Sequence, residues 1–169
     1  MFKNFQKRRN LDIIGSTELV SLENFSNIPA KIDTGADSSS VWASGINVDK
    51  DGVLSFCLFD KDSEFYTGER LSRRNFRALV VRSSNGDEEI RYRTELSLKL
   101  GKRKIKAMFT LADRSKNHFP ILIGRRTLKN KFLVDVSRRA VDKAKNPKTT
   151  TLNKELKENP FKFHKKYIK

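Results

Sequence analysis

Apolar and polar residues alternate with period two along several stretches of this chain. Glu95-Leu96-Ser97-Leu98-Lys99-Leu100 is the cleanest case, and Lys104-Ile105-Lys106-Ala107-Met108-Phe109 repeats the pattern after the turn Gly101-Lys102-Arg103. Alternation of this kind belongs to strands with one face buried. Residues 11–22 read as a short strand pair or a strand with a bend, and 28–32 as a buried strand. Residues 38–43 form a strand leaving a turn, with half-aromatic Trp42 assigned to the core. A polar turn is expected over 45–52, an apolar strand over 53–59 and a charged connection over 60–74. Strands over 76–81 and 90–100 flank the polar segment 83–89. Only residues 126–131 read as a short helix. After the break at Asn146-Pro147, residues 151–158 have room for at most two helical turns. Many short strands with turn signals about every ten residues predict an all-β fold, closed or sandwich-like.

Candidate chemistry enters at Asp33-Thr34-Gly35-Ala36-Asp37, directly after the buried strand. An acid followed by Thr and Gly sits where a strand turns sharply. Asp and Thr can satisfy backbone donors there, and Gly lets a second backbone approach. Taken alone, the triplet reads equally as an Asx turn at a strand end. The distant run Ile121-Leu122-Ile123-Gly124-Arg125 separates the two readings.

Together these motifs resemble the retropepsins, single-domain aspartic proteases. The order matches: Asp-Thr-Gly-Ala-Asp after a hydrophobic strand, a hairpin flap, two strands, then an apolar triplet ending in Gly-Arg. More closely, the chain is similar to a bacterial and archaeal retropepsin-like family long called ATP-dependent zinc proteases. Ala30-Lys31-Ile32-Asp33-Thr34-Gly35-Ala36, Phe119-Pro120-Ile121-Leu122-Ile123-Gly124-Arg125 and Phe132-Leu133-Val134-Asp135 carry that likeness, over roughly residues 11–137. It implies a retropepsin-like closed β-barrel with one short C-terminal helix.

The resemblance also implies roles. Asp33 is the catalytic carboxylate. Thr34, Gly35 and Ala36 support the dyad, Thr34 by bonding across it and Gly35 by letting substrate backbone approach. Asp37 pairs with Arg125 inside the chain, where a guanidinium fork suits a carboxylate better than an ammonium does. Gly124 permits close packing under the catalytic loop, and Ser83, Ser84, Asn85 and Gly86 form the flap tip. Aspartic protease chemistry needs two facing carboxylates that share a proton. This chain has one Asp-Thr-Gly; Asp113 and Asp135 lack that context. A twofold homodimer is therefore expected, bringing Asp33 against its own copy.

No cofactor is expected. Despite the family's name, His118, His164 and Cys57 do not make a zinc ligand set, and no phosphate-binding glycine loop accompanies them. Cys57, the one cysteine, reads as a buried thiol in a reducing cytoplasm. No apolar run is long enough to span a membrane, and residues 1–10 are too polar for a secretory signal.

Charge refines this picture only at the ends. The chain carries a net +16. Residues 1–10 hold Lys3, Lys7, Arg8 and Arg9 and no acid, and residues 138–169 hold eleven basic residues against three acids. The sequence thus divides into a basic N-terminal tail (1–10), a nearly balanced retropepsin-like domain (11–137) and a basic C-terminal extension (138–169). The expected partners are a second copy of the chain and a peptide or protein substrate, acidic in character. Phe161, Phe163 and Tyr167 interleave with lysines, a pattern that can dock nucleic acid as a secondary role. The alternative function is a catalytically silent dimeric module of the same fold, contacting RNA or an acidic partner through its basic tails.

Overall fold

The computed structural model describes residues 10–82, 88–141 and 147–167. Eleven strands appear among them: β1 (Asp12–Ile14), β2 (Thr17–Leu22), β3 (Phe25–Asp33), β4 (Ser39–Val48), β5 (Leu54–Leu58), β6 (Arg70–Arg73), β7 (Phe76–Arg82), β8 (Glu88–Leu100), β9 (Arg103–Ala112), β10 (Ile121–Gly124) and β11 (Phe132–Val134). Three helices complete the described chain: α1 (Arg125–Leu128), α2 (Pro147–Glu158) and α3 (Pro160–Tyr167).

Six strands close a barrel in the order β10, β3, β2, β8, β9, β4, with β4 returning to β10. The β10–β3 and β4–β9 pairs are parallel and the others antiparallel. Closure leaves no free edge on this ring. The interior is the apolar half of the alternation. Leu96, Leu98 and Leu100 are buried, while Glu95, Ser97 and Lys99 between them face outward. Phe109, Ile121, Ile123, Val41, Ile28 and Val20 meet them from the other strands.

The barrel strands outside it serve other ends. The second half of β4 leaves the ring to pair with β5, and β5 carries β6. β7 pairs with the first half of β8 as a projecting hairpin, from Phe76↔Thr94 out to Arg82↔Glu88. The expected flap tip, Ser83, Ser84, Asn85 and Gly86, lies outside the described residues. β1 and β11 form a separate parallel pair, in which Ile13 opposes Leu133 and both are half exposed.

Four local expectations need correction. The turn expected over 45–52 is only its second half, because β4 continues to Val48 through a register shift between Ser44 and Asn47. Gly45 takes a left-handed φ of 57° at that irregularity, which glycine tolerates without strain. The turn proper is held by Asp49, whose Oδ1 accepts the Asp51 and Val53 amides at 2.9 Å. Within the charged connection 60–74 lies β6, which buries Leu71 alone and so leaves little apolar signature.

Helices differ as well. The one over 126–131 is a single turn starting one residue earlier, at Arg125. Beyond it stand two helices rather than a short remnant, both beginning at proline. Proline breaks helix interiors but suits the first position, where its missing N–H has no partner to lose. Glu155 of α2 joins Lys166 and Tyr167 of α3 at 3.2 and 3.0 Å. Trp42 is half-buried against the edge of the core, and Cys57 is a buried free thiol.

Candidate active site

Asp33 ends β3 where that strand runs beside β10, in register Ile32↔Ile123 and Asp33↔Gly124. Buried Ile32, Ile121 and Ile123 pin both strands to the core, so the turn that follows starts from a fixed point. The amides of Gly35 and Ala36 both donate to Asp33 Oδ1 at 3.1 Å. The other oxygen, Oδ2, takes the Lys31 ammonium at 3.3 Å. Partial burial pushes the Asp33 carboxyl up. Lys31, through its hydrogen bond and its charge, outweighs that together with the two amides and holds the group below the usual aspartate range. The carboxylate is therefore fixed in orientation, ionised, and about a quarter exposed.

The loop rests on the end of β10. Arg125 N–H donates to the Ala36 carbonyl at 2.8 Å, and Arg126 N–H to that of Asp37 at 3.3 Å. Gly124 is in an ordinary backbone conformation, so space is what requires it: a Cβ there would stand 2.5 Å from the Ser38 carbonyl oxygen. Beneath it, Gly124 N–H donates to Ser39 Oγ (3.0 Å), which also bonds Thr127 Oγ1 (2.7 Å). Ser39 and Thr127 are both buried, and sequence reasoning passed over them.

Asp37 and Arg125 do meet, though not as a two-oxygen fork. Arg125 Nε and Nη2 both approach Oδ1, at 3.1 and 3.0 Å, and Arg126 Nη2 takes Oδ2 at 2.7 Å. Both arginines are well exposed, so solvent screens the arrangement. Arg126 was legible only as a second arginine beside the motif.

Thr34 and Gly35 are exposed. Thr34 forms no side-chain hydrogen bond among the described residues, and with Asp37, Leu133 and Val134 it lines an open groove of about 650 Å³. The other candidate acids serve their own turns. Asp113 accepts the Ser115 amide, and Asp135 holds Ser137 and Arg138. Lys31 was quoted only within a motif. Its signal was its place two residues before Asp33, which puts both side chains on one face of a strand. Among the described residues no three of His, Cys, Asp and Glu gather where a metal ion would bind.

Comparison with known proteins agrees with this geometry. A family model described as RimB-like, the retropepsin-like aspartic endopeptidase RimB, matches residues 13–145. A probable alpha-L-glutamate ligase of Desulfotalea psychrophila is 30% identical over 128 residues, which cover 73% of this chain and 28% of that protein. One from Shewanella pealeana is 31% identical over 133 residues, 76% of this chain and 29% of the relative. The chain thus spans less than a third of the length of these curated relatives. Among solved structures, a Legionella pneumophila protein of unknown function (DUF785) superposes with a TM-score of 0.55 at 25% identity, covering 76% of this chain and 95% of that one.

Proposed function

This chain belongs to the RimB-like family of retropepsin-like aspartic endopeptidases, and from that premise we propose that it is an aspartic peptidase working as a homodimer. The observation that carries the reading is Asp33 itself. One carboxylate per chain is held by two amides at the end of a buried strand, beside an exposed Thr34 and Gly35. Two such loops facing one another supply a pair, and Ile13 with Leu133 offers an apolar surface close to the same groove.

In that pair the ionised Asp33 takes a proton from water while the oxygen attacks the scissile carbonyl carbon. Asp33 of the partner subunit, protonated, donates to the carbonyl oxygen as the tetrahedral diol forms. Return of a proton to the amide nitrogen then breaks the C–N bond, leaving an acid and an amine. Lys31 adds a cation that is not part of the two-carboxylate scheme, favouring the ionised member. Asp37 and its two arginines brace the loop, and the β7–β8 hairpin covers the bound peptide and excludes water.

The relatives suggest the substrate. They are named as glutamate ligases, and this chain matches only a portion of each. A peptidase unit accompanying a glutamate ligase suits removal of the residues the ligase adds. The bond cleaved would be a peptide or isopeptide-like amide within a glutamate-bearing protein in the cytoplasm. Among the described residues no helix is long and apolar enough to cross a membrane.

The test is Asp33→Asn, which is nearly isosteric and keeps an acceptor for the Gly35 and Ala36 amides. Hydrolysis of glutamate-bearing peptides should vanish with the fold intact. Mixing wild type with an excess of the variant should poison activity, and specific activity should fall on dilution. Near-normal activity in Asp33→Asn would remove the leading reading. Binding without cleavage by wild type would instead favour the silent module.

A further inference from the structure

Directly opposed residues on neighbouring strands point to the same face of a sheet. Lys31 opposes Leu122 on β10, and Leu122 opposes Ser40 on β4. Ser40 opposes Thr110 on β9, and Thr110 opposes Arg93 on β8. One row therefore crosses five strands. The neighbouring residues Ile32, Val41 and Leu111 are buried in the barrel interior, so this row lies on its outside. Asp33 stands two residues beyond Lys31 on that same outer face, and Arg91 two residues before Arg93.

The row is rich in cations and short of acids. Lys31 has Asp33, and Arg91 has Glu89 at 2.6 Å. Arg93 has no ion-pair partner among the described residues. Arg114, just past the end of β9, donates from Nε to the Phe119 carbonyl at 3.1 Å and likewise meets no acid. Its guanidinium is pushed down by burial and by Arg91, and drawn back up by Asp33, which places all three within reach of one another's charge.

Two polar atoms in the row are buried with no hydrogen-bond partner: Ser40 Oγ and Arg93 Nε. Native proteins rarely leave such atoms unpaired, and a buried unpaired guanidinium is costly. The two residues are separated by Thr110 alone, about 10 Å at two strand spacings. An arginine side chain and a carboxylate side chain fill that gap between them. A carboxylate also suits both groups at once, since it only accepts while guanidinium and hydroxyl both donate.

We propose that Arg93, Arg114 and Ser40, with Lys31 and Arg91 at the margins, form a subsite that binds the carboxylate side chain of a substrate residue flanking the scissile bond. The assignment rests on the peptidase reading for the identity of the reacting site, and adds the residues that recognise acidity within it. The basic tails play no part in it.

Peptides of one scaffold carrying Glu or Gln at each position around the cleaved bond test this. Wild type, Arg93→Gln, Arg114→Gln and Arg93→Lys are compared by kcat/KM, with thermal unfolding as the check on folding. A charge-assisted hydrogen bond predicts roughly a 10- to 100-fold preference for Glu at one position. The Glu-to-Gln ratio should fall at least tenfold in each Gln variant, with partial recovery in Arg93→Lys. Wild type cleaving both peptides equally would overturn the subsite and leave the peptidase standing, as would variants that lose both rates in proportion. If wild type cleaves neither, the peptidase reading fails, and calorimetric binding of the same peptides decides the subsite alone. Tighter Glu binding that depends on Arg93 would uphold it; equal affinities, or a single-stranded RNA bound more tightly through Arg93, would sink it.

Discussion

Gly124→Ala puts a methyl group into the joint between the two halves of the site. The backbone at Gly124, with φ −86° and ψ 168°, accepts alanine without strain, so only the space is at issue. The new Cβ would lie 2.5 Å from the Ser38 carbonyl oxygen, 2.6 Å from its carbon and 3.0 Å from the Ala36 oxygen. Restoring an ordinary 3.4 Å contact from 2.5 Å requires a shift of roughly 0.9 Å. None of these neighbours is a side chain that could swing aside. Ala36 is tied to Arg125 by its carbonyl and to Asp33 Oδ1 by its amide, so the displacement passes into the catalytic turn. Overpacking of this sort costs about 1–3 kcal/mol. The stiffer unfolded chain offsets about 0.4–1 kcal/mol of that. A net loss of about 1–2.5 kcal/mol lowers Tm by about 2–10 °C at this chain length. Misplacing a reacting group by about 1 Å lowers kcat/KM about 100-fold. Differential scanning calorimetry and peptide hydrolysis on the same preparation read both quantities. An unchanged Tm with activity within threefold of wild type would mean that this approach does not position Asp33.

Gly35→Ala gives the opposite pattern: within the chain its Cβ would meet only Asp33 Oδ1, at an ordinary 3.4 Å, so Tm should hold. Activity should nonetheless drop at least tenfold, because what comes close to Gly35 is substrate or the second copy; full activity would refute that approach. Lys31→Met removes a cation that lowers the Asp33 pKa, so that pKa rises and the acid limb of the pH–rate profile moves to higher pH. By the same sign, Asp33 contributes stability above its unfolded pKa and loses it as pH falls through the folded one, so the variant should lose part of that contribution; an unmoved acid limb would exclude Lys31 from the ionisation. Arg125→Lys should leave thermal unfolding near wild type, since Asp37 is solvent-screened and keeps Arg126. A clear drop in Tm would restore the Asp37–Arg125 pair as an anchor of the fold.

The strands of the barrel were legible because burial on one face writes a period of two into the sequence, as in residues 95–100. β6 was not, because a strand outside the ring that buries only Leu71 writes almost nothing. α2 and α3 were misread because the same proline breaks a helix from inside and starts one from its first turn. At the site, the turn at Asp33 and the need for glycine at 124 could be read from local motifs. The row from Lys31 to Arg93 could not, since it depends on the register of five strands brought together from across the chain. Nor could the second arginine on Asp37, which a one-turn helix supplies by aiming Arg126 back at the loop.

Strand β8 belongs to two structures at once. From Leu96 to Leu100 it is clamped by β9, with β2 joining at its far end, and its inward side chains are buried; from Glu88 to Tyr92 only β7 holds it. Its amide protons should consequently form a gradient of exchange, slow in the barrel half and progressively faster toward the hairpin tip. The transition falls at Arg93 and Thr94, where β7 and β9 overlap on opposite edges. That places the fulcrum of the hairpin next to the cationic row. A ligand seated against Arg93 would load the strand at its pivot, so occupancy there and the timing of hairpin closure are mechanically joined.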